Sequence, residues 1–276
     1  MTGIEKGDRL AGRVALVTGA GSRSSDIGNG RASAILLARQ VARVLLIDAV
    51  AEAAAETEQM IAREGGVSMS LQVDVTQPVE CEKAVRTAAS AWGRVDILVN
   101  NVGIGGPAGT AVDVELEAWD QAMRVNVTSM MLMAKYTIPE MREQGAGSIV
   151  NIASVAGLVG GHPSLLYPTS KGAVVNMTRA MAAHHGLEGI RVNCVCPGMV
   201  YTPMVSSRGM TPEMRLARQQ RSLLQTEGTG WDVGNAVLYL ASDEARWITG
   251  IVMPVDAGAS AGSGRLPIPP SNGKRI

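Results

Sequence analysis

The fold is decided by the stretch Val14-Ala15-Leu16-Val17-Thr18-Gly19-Ala20-Gly21, in which a short apolar run leads directly into glycines. Such a run of apolar and β-branched residues is typical of a buried strand. An alanine-rich run over 31–40 follows, and its composition is typical of a helix. The stretch therefore predicts a strand, a glycine turn and a helix, which together begin a βαβ unit.

The same alternation continues along the chain. Strands that alternate with helices form right-handed crossovers and a parallel sheet that is covered on both faces. We therefore predict an α/β fold: one Rossmann-type, doubly wound domain over 1–259, followed by an irregular tail over 260–276, which is rich in Gly, Pro and Ser. Further strands are expected at 44–47, 68–73, 97–100, 148–152, 191–195 and 251–255, and helices at 51–64, 78–92, 117–144, 170–185 and 232–241.

The composition argues against several classes of partner. The 276 residues carry 25 basic and 25 acidic side chains, so no net charge attracts nucleic acid or an anionic membrane. No apolar run reaches the ~18 residues of a membrane span, and residues 1–10 do not resemble a signal peptide. We therefore expect a cytoplasmic protein that acts on a small molecule.

The cysteines and histidines predict packing rather than metal binding. Neither the three cysteines nor the three histidines show the spacing of a metal site, so we expect no metal. Cys194 and Cys196 flank Val195 in a strand-like stretch, and we expect them to be buried free thiols that point to opposite faces.

A nucleotide site is indicated where the first strand ends. Gly19 and Gly21, and after a longer gap Gly28-Asn29-Gly30, would let the backbone approach a diphosphate at a helix N-terminus. Asp48 follows the second strand, where a carboxylate accepts hydrogen bonds from ribose hydroxyls and repels a 2′-phosphate, although it also suits a helix N-cap. Asp74 ends the third strand and can either accept from an adenine amino group or cap a turn.

One basic residue complicates the choice between the two nicotinamide cofactors. Arg23 follows Ser22 inside the glycine-rich loop and can reach a 2′-phosphate. Asp48 weighs more heavily because it follows directly on a strand, which fixes its position. The sequence therefore predicts NAD in preference to NADP, with NADP as the alternative.

The reacting groups are expected at Tyr167 and Lys171. Side chains four residues apart on a helix lie on one face, about one turn apart. A neighbouring ammonium lowers the pKa of a phenol from its ordinary value of ~10, so that it can take a proton from an alcohol or return one to a ketone. Ser154 lies upstream and can hydrogen-bond the same oxygen. Taken alone, such a pair more often belongs to an exposed helix face.

Together these motifs resemble the short-chain dehydrogenase/reductase family over about 12–258. Tyr167-x-x-x-Lys171 with Ser154 upstream is similar to the family's catalytic set, and Asn126 matches its asparagine. The resemblance implies that Tyr167 is the general acid/base and that Lys171 lowers its pKa and binds the nicotinamide ribose. It also implies that Ser154 stabilises the substrate oxygen and that Asn126 helps to hold a proton-relay water.

Other segments resemble the cofactor-binding motifs of the family, with departures. The first gap of the glycine motif is five residues longer than in the family, and Asn29 replaces an apolar residue. Val102 replaces an alanine and Val41 a glycine, and both are expected to strain local packing. The resemblance assigns these further residues to the cofactor: Asp74, Val75, Asn101, Val102, Gly103, Pro197, Gly198, Val200 and Thr202.

The family's substrate pocket corresponds to 155–161, 162–166 and 204–224. Apart from Lys171, no Arg or Lys stands close to the serine or the tyrosine, which favours a neutral, hydrophobic ketone or secondary alcohol. The resemblance also implies a homotetramer. The expected lining is apolar apart from one histidine and comprises Val155, His162, Leu165, Met199 and Met204.

The sequence thus predicts an NAD(P)-dependent alcohol dehydrogenase or ketone reductase that acts on CH–OH groups. A dehydratase, an epimerase or a 3-oxoacyl-type reductase on the same scaffold is the alternative within the family. A non-catalytic nucleotide-binding sensor is a third hypothesis. The presence of all four catalytic residues argues against a sensor, which need not retain them.

Overall fold

Seven parallel strands form one sheet at the centre of the structure, a computed structural model that describes residues 6–22, 24, 26–206 and 209–262. The strands are β1 (Val14–Thr18), β2 (Arg43–Asp48), β3 (Val67–Gln72), β4 (Ile97–Asn100), β5 (Gly147–Ile152), β6 (Ile190–Pro197) and β7 (Val252–Val255). Their order across the sheet is β3-β2-β1-β4-β5-β6-β7. The order reverses between β1 and β4, and in open sheets of this kind ligands bind at that switch point.

Nine α-helices connect and cover the strands over the described residues. They are α1 (Asn29–Arg39), α2 (Ala51–Arg63), α3 (Pro78–Trp92), α4 (Leu116–Met123), α5 (Ser129–Glu143), α6 (Leu166–His185), α7 (Pro203–Ser206), α8 (Pro212–Gln219) and α9 (Gly230–Ala241). Helices α1, α2 and α9 pack on one face of the sheet, and α3, α5 and α6 on the other.

The alternation of side chains along β1 shows why both faces need cover. Ala15 and Val17 point into the core under α1 and α9, whereas Val14 and Leu16 point into the core under α3 and α5. All four are fully buried, and each large aliphatic side chain so buried contributes about 1.5–3 kcal/mol. The predicted doubly wound α/β fold is confirmed.

The helix expected over 117–144 is divided into three parts. Helices α4 and α5 are joined by a π-helical segment, Arg124–Thr128, which inserts one extra residue into the helical path. The polar side chain of Asn126 turns inward there and bonds to backbone outside the helix. Hydrophobic periodicity does not reveal such an insertion, because the apolar stripe resumes after it.

Two other boundaries differ from the sequence-based expectation. Helix α6 begins at Leu166, four residues early, so Tyr167 lies inside its first turn, where Pro168 is tolerated. Between β6 and α9 the chain forms α7 and α8, which the sequence analysis left unassigned. Thr211 caps α8 by accepting a hydrogen bond from the backbone N–H of Met214.

The prediction for the two strand cysteines was wrong. Cys194 and Cys196 lie on the same face of β6, with their Sγ atoms 3.8 Å apart, and Val195 points to the other face. Residues two apart on a strand share a face because the side-chain period is two. The prediction that both are buried free thiols is confirmed.

Strain of local packing was expected at Val41, but its side chain is exposed and the strain lies in its backbone. It precedes β2 with φ at 68°, in the left-handed region, which a β-branched residue adopts at a cost.

In the part of the chain that the structure describes, no helix is long and apolar enough to cross a bilayer. Most of the tail expected over 260–276 lies outside the described residues.

Candidate active site

The carboxyl ends of the strands open into a cleft of about 700 Å³. Residues from the turn after β1, the ends of β2 and β3, the segment after β4 and helix α6 line it together. The two ends of the expected site therefore meet in one cavity. The sequence-predicted residues that line it are Gly19, Gly21, Ser22, Gly28, Asn29, Asp48, Asp74, Val75, Asn101, Val102, Gly103, Tyr167 and Lys171.

Close backbone packing at the glycine turn explains why two positions must be glycine. Gly19 has φ at 63°, and a Cβ on Gly30 would lie 2.0 Å from the carbonyl oxygen of Gly19. Asn101 fixes the same turn, since its Nδ2 donates to Gly19 O at 3.0 Å. Helix α1 begins after Gly28 with no side-chain cap and no acid in its first turn, which suits the binding of an anion.

Two shielded polar atoms at this turn fit a dinucleotide. Ser22 Oγ and Asn29 Oδ1 are buried and have no hydrogen-bond partner among the described residues. An unpaired buried polar group costs about 1–3 kcal/mol, and a polar ligand in the cleft would remove that cost. The close glycine backbone and the Ser22 hydroxyl, which can donate, thus match the diphosphate of a nicotinamide dinucleotide, whereas Asn29 Oδ1 only accepts and suits a hydroxyl or amide donor of the ligand. Arg23 lies outside the described residues.

Asp48 shapes the turn before helix α2 and lines the cleft. Its Oδ1 accepts from the backbone N–H of Val50 at 3.0 Å, and its Oδ2 accepts from that of Gly21 at 2.9 Å. The expected N-cap role was wrong, because Val50 is the N-cap of α2 and no side-chain hydrogen bond caps this helix. A carboxylate offers about four acceptor positions, so two remain for ribose hydroxyls, and the ribose-binding role stays a prediction.

Asp74 is likewise engaged in a turn. Its Oδ1 accepts from the backbone N–H of Thr76 at 2.9 Å and from the Thr76 hydroxyl at 2.7 Å. Partial burial acts to raise the pKa of Asp74, but these hydrogen bonds outweigh it and lower the pKa below its ordinary value. The carboxylate is thus ionised and turned toward the cleft, where Asp74 is one of the lining residues.

Tyr167 and Lys171 lie one turn apart in α6. The Lys171 Nζ is 5.9 Å from the ring centroid of Tyr167, and it donates to the carbonyl oxygen of Ile152 at 3.0 Å. The lysine side chain is almost fully buried, and this burial lowers its pKa to about 8, although the nearby Cys194 and Cys196 act to raise it. The ammonium is held under the cleft close to the phenol ring.

Ser154 stands directly after β5, at the start of a short 3₁₀ turn, Val155–Gly157. Its Oγ accepts from the backbone N–H of Ala156 at 3.1 Å. A hydroxyl that accepts one hydrogen bond still has its own proton to donate. Ser154 thus keeps a proton to donate, but it is not among the residues that line the 700 Å³ cleft, and its hydrogen bond to a substrate oxygen stays a prediction.

Asn126 is fully buried and ties the reacting end together. Its Oδ1 accepts from Ile104 N at 2.7 Å, and its Nδ2 donates to Ile104 O at 2.9 Å and to Ser170 Oγ at 3.1 Å. The amide thus joins the segment after β4 to α6, one residue before Lys171. The water-holding role implied by the family stays a prediction.

His162 lies against Tyr167. The ring centroids of His162 and Tyr167 are 5.1 Å apart, with planes inclined by 32°. The His162 Nδ1 is engaged with the backbone of Ser164, whose N–H and carbonyl oxygen both lie 3.2 Å from it, so the Nε2 is the ring nitrogen left for another partner. The exposed apolar side chains of Leu158, Val159 and Leu165 belong to the same two segments before Tyr167.

Several residues assigned to the site lie elsewhere. Val155 packs into the core with Val174 and Cys196, because the 3₁₀ turn after Ser154 directs its side chain inward. Met199 and Val200 line a separate cleft beside α9, and most of Val200 is buried in the core. Pro197, Gly198 and Thr202 do not line the 700 Å³ cleft, and the side chain of Met204 lies outside what the structure describes.

The sequence analysis missed other residues that line the cleft. Most of them follow a strand end directly, which is a signal that the sequence does contain, because carboxyl ends of parallel strands meet at one edge. Ala53, Val125 and Pro203 are exceptions, since they belong to α2, the π-helical segment and the short helix α7. The missed residues are Ile47, Ala49, Val50, Ala53, Val73, Thr76, Ile104, Val125, Ile152, Ala153 and Pro203.

Comparison with known proteins gives a consistent picture. A family model described as enoyl-(acyl carrier protein) reductase matches residues 23–260. The 2-(S)-hydroxypropyl-CoM dehydrogenase 3 of Xanthobacter autotrophicus is 38% identical over 258 residues, which cover 92% of this chain and 99% of that protein. The meso-2,3-butanediol dehydrogenase of Serratia marcescens is 35% identical over 257 residues, 93% and 98% of the two chains. The crystal structure of a putative short-chain dehydrogenase/reductase from Burkholderia xenovorans has 39% identity, a TM-score of 0.87 and coverage of 92% and 99%.

Proposed function

Because the chain belongs to the short-chain dehydrogenase/reductase family, we propose that it interconverts a secondary alcohol and a ketone, with NAD preferred over NADP. The observation that carries the proposal is the placement of Tyr167 beside the buried Lys171, in the same cleft as the unpaired polar atoms of the glycine turn. A bound nicotinamide supplies or accepts the hydride, and the protein orients the reacting groups.

The proton is handled by three side chains. The Lys171 ammonium lies close to the phenol ring. A positive charge at this place favours the phenolate and so lowers the pKa of a tyrosine toward the working pH. Tyr167 then takes the proton of an alcohol or gives one to a ketone oxygen. Ser154 donates a hydrogen bond to that oxygen as negative charge develops on it.

The preference for NAD rests on Asp48. Its carboxylate lines the cleft at the end of β2 and retains acceptor positions for the two ribose hydroxyls. A 2′-phosphate at that place would bring like charges together without a described cation to offset them. The neighbouring Asp74 adds a second negative charge at the same edge of the sheet.

The substrate is proposed to be an apolar ketone or alcohol with a second oxygen near the reacting one. The segments before Tyr167 expose aliphatic side chains at Leu158, Val159 and Leu165, and the His162 ring places one polar nitrogen, Nε2, among them. A ring nitrogen at this position favours a substrate with a second hydroxyl or carbonyl group to meet it. The relative from Serratia marcescens is named for a substrate with two oxygens, butanediol.

A matched pair of substrates tests the proposal. Absorbance of NADH and of NADPH is followed separately with 2-butanone and with 3-hydroxy-2-butanone, which differ by one hydroxyl. We expect turnover with NADH and a preference for the hydroxyketone that His162→Phe reduces by about three- to tenfold, the value of one hydrogen bond. His184→Phe, on an exposed histidine of α6, is the control. Absence of turnover with a wide panel of ketones and alcohols would overturn the proposal.

We also expect a cytoplasmic homotetramer, as the family resemblance implies. Helix α5 supports this in part, because Met131 is exposed on it, whereas its neighbours Met130, Leu132 and Met133 are buried in the subunit core. The methionine cluster is therefore mostly internal packing with one outward side chain. Light scattering of the purified protein measures the assembly directly.

A further inference from the structure

Arg31 is a fully buried cation in the first turn of α1. Its Nε donates to the hydroxyl of Thr57 at 3.0 Å, and one Nη donates to the carboxylate of Glu56 at 2.6 Å. The other Nη donates to the carbonyl oxygens of Ser24 and Asp26, both at 3.2 Å. A charged residue at an early helical position would ordinarily face solvent, so this burial has to be explained.

The partners of Arg31 come from two segments that meet at the nucleotide end of the cleft. Glu56 and Thr57 belong to α2, whereas Ser24 and Asp26 belong to the enlarged glycine loop, of which the structure describes residues 21, 22, 24 and 26–28. The Thr57 hydroxyl in turn donates to the carbonyl oxygen of Ala20, inside the glycine turn, at 2.8 Å. One guanidinium therefore connects the loop, the helix after Asp48 and the turn after β1.

Among the described residues, a single carboxylate balances the charge of Arg31. Glu56 is the carboxylate in contact with it, and about half of the Glu56 side chain is exposed. A buried guanidinium is tolerated when its fork of donors is satisfied, and Arg can reach several acceptors at fixed angles, which a lysine cannot. The two loop carbonyls are thus part of what makes the burial favourable, and the guanidinium in turn fixes the loop.

We propose that Arg31 is a positioning residue that holds the enlarged glycine loop in the shape that binds the cofactor diphosphate. The unpaired Ser22 Oγ at the start of this loop lines the cleft, which is what a loop shaped for a polar ligand requires. The inference rests on the nicotinamide dinucleotide of the proposed function, but on neither the substrate nor the choice between NAD and NADP. Arg31 itself does not line the cleft and acts through the loop.

Two ligands separate this role from a purely structural one. ADP-ribose contains the diphosphate, whereas adenosine contains only the groups that Asp48 and Asp74 face. Titration calorimetry on the full chain should show that Arg31→Gln lowers the affinity for ADP-ribose by about tenfold or more and the affinity for adenosine by less than about twofold. The affinity of Arg31→Lys for ADP-ribose should lie between those of wild type and Arg31→Gln. The KM for NADH should rise in parallel, with kcat at saturating NADH within about twofold of wild type.

Glu56→Gln is the matched control. An amide oxygen still accepts from the Arg31 Nη, and the bonds to the loop carbonyls are untouched, so ADP-ribose affinity should change less than about threefold. An equal loss of affinity for ADP-ribose and adenosine, or unchanged affinity for both with lower thermal stability, would show that Arg31 only stabilises the contact between α1 and α2.

A shortened loop keeps the inference testable if Arg31→Gln does not fold. Deletion of residues 22–26 restores the family's spacing and removes the loop that Arg31 contacts. On that background Arg31→Lys should no longer change ADP-ribose affinity, whereas on the full loop it should. The same effect on both backgrounds would overturn the inference. A wild-type protein that binds neither NADH nor ADP-ribose would overturn the proposed function as well.

Discussion

At the reacting end of the cleft, Tyr167 and Lys171 stand on successive turns of one long helix, with Asn126 bonded to the backbone in front of it. At the nucleotide end, one buried guanidinium donates to acceptors of the glycine loop and of α2. The first arrangement depends on helical spacing, and the second on long-range contacts. The two ends should therefore fail differently when they are mutated.

Loss of the catalytic hydroxyl should affect chemistry alone. Tyr167→Phe removes the proton donor and keeps the ring against His162. We expect kcat to fall by about 10²–10⁴-fold, the usual contribution of general acid–base catalysis, while NADH binding stays within about twofold. Stopped-flow fluorescence for binding and steady-state rates for turnover measure the two effects separately.

Thr169→Ala is the control on the same helix, because this exposed hydroxyl bonds only to the helix's own backbone carbonyl at Leu165. It should leave both quantities unchanged. If Tyr167→Phe weakens NADH binding as much as it slows turnover, the tyrosine also binds the cofactor. The two ends of the cleft would then not have separate functions.

Removal of the buried ammonium should abolish activity and raise the stability of the protein at neutral pH. Lys171→Met should abolish turnover, because the phenol loses its neighbouring charge. The folded-state pKa of about 8 lies below the ordinary 10.5, so burial of the charged form costs up to about 3 kcal/mol at neutral pH. The penalty is full below about pH 8, fades as the pH rises toward 10.5 and is absent above it.

Urea unfolding at pH 7 and pH 10 measures this effect. Wild type should gain stability relative to Lys171→Met between the two values, and the variant should be the more stable protein at pH 7. Lys135→Met, at an exposed position on α5, should show neither change. A variant that is less stable at pH 7 would mean that the hydrogen bond from Lys171 to Ile152 outweighs the cost of burial.

Substitution of Asp48 should affect the nucleotide end alone. Asp48→Ala removes the acceptors for ribose and the charge that opposes a 2′-phosphate. We expect the KM for NADH to rise by about tenfold, the KM for NADPH to change by less than about twofold and kcat to be retained. Initial rates with each cofactor give all three values.

The bonds of Asp48 to the glycine turn and to Val50 supply the competing explanation. Asp48→Asn keeps one acceptor for the backbone N–H groups of Gly21 or Val50 and removes the charge. It should therefore improve the affinity for NADPH relative to NADH, with a loss of stability of about 1 kcal/mol, because one of the two N–H groups loses its acceptor. Equal weakening of both cofactors by Asp48→Ala would indicate that the residue acts by shaping the glycine turn.

Spacing along regular elements explains what the sequence could reveal. The order of strands and helices follows from hydrophobic patterns, and Tyr167 and Lys171 lie one turn apart because both are in α6. Asp48 and Asp74 could be located because each ends or directly follows a strand. Local rules were sufficient for these residues.

Contacts between distant segments explain what the sequence could not reveal. The burial of Arg31 depends on acceptors 5 to 26 residues away, which no local pattern contains. The π-helical segment around Asn126 depends on backbone groups of Ile104, 22 residues away. Val155 was assigned to the pocket on family position alone, and a tight turn directed it into the core instead.

Val41 offers the smallest and most local test of these arguments. It is exposed and lies far from the reacting residues, just before β2, yet its φ of 68° is one that glycine adopts without strain. Val41→Gly should raise the free energy of unfolding by about 1 kcal/mol, because relief of the left-handed conformation exceeds the extra chain entropy of glycine. Val41→Ala retains a Cβ, so it should raise the free energy of unfolding by less than Val41→Gly does. Unfolding curves in urea measure both, and a less stable Val41→Gly protein would show that packing of the valine side chain compensates for its backbone strain.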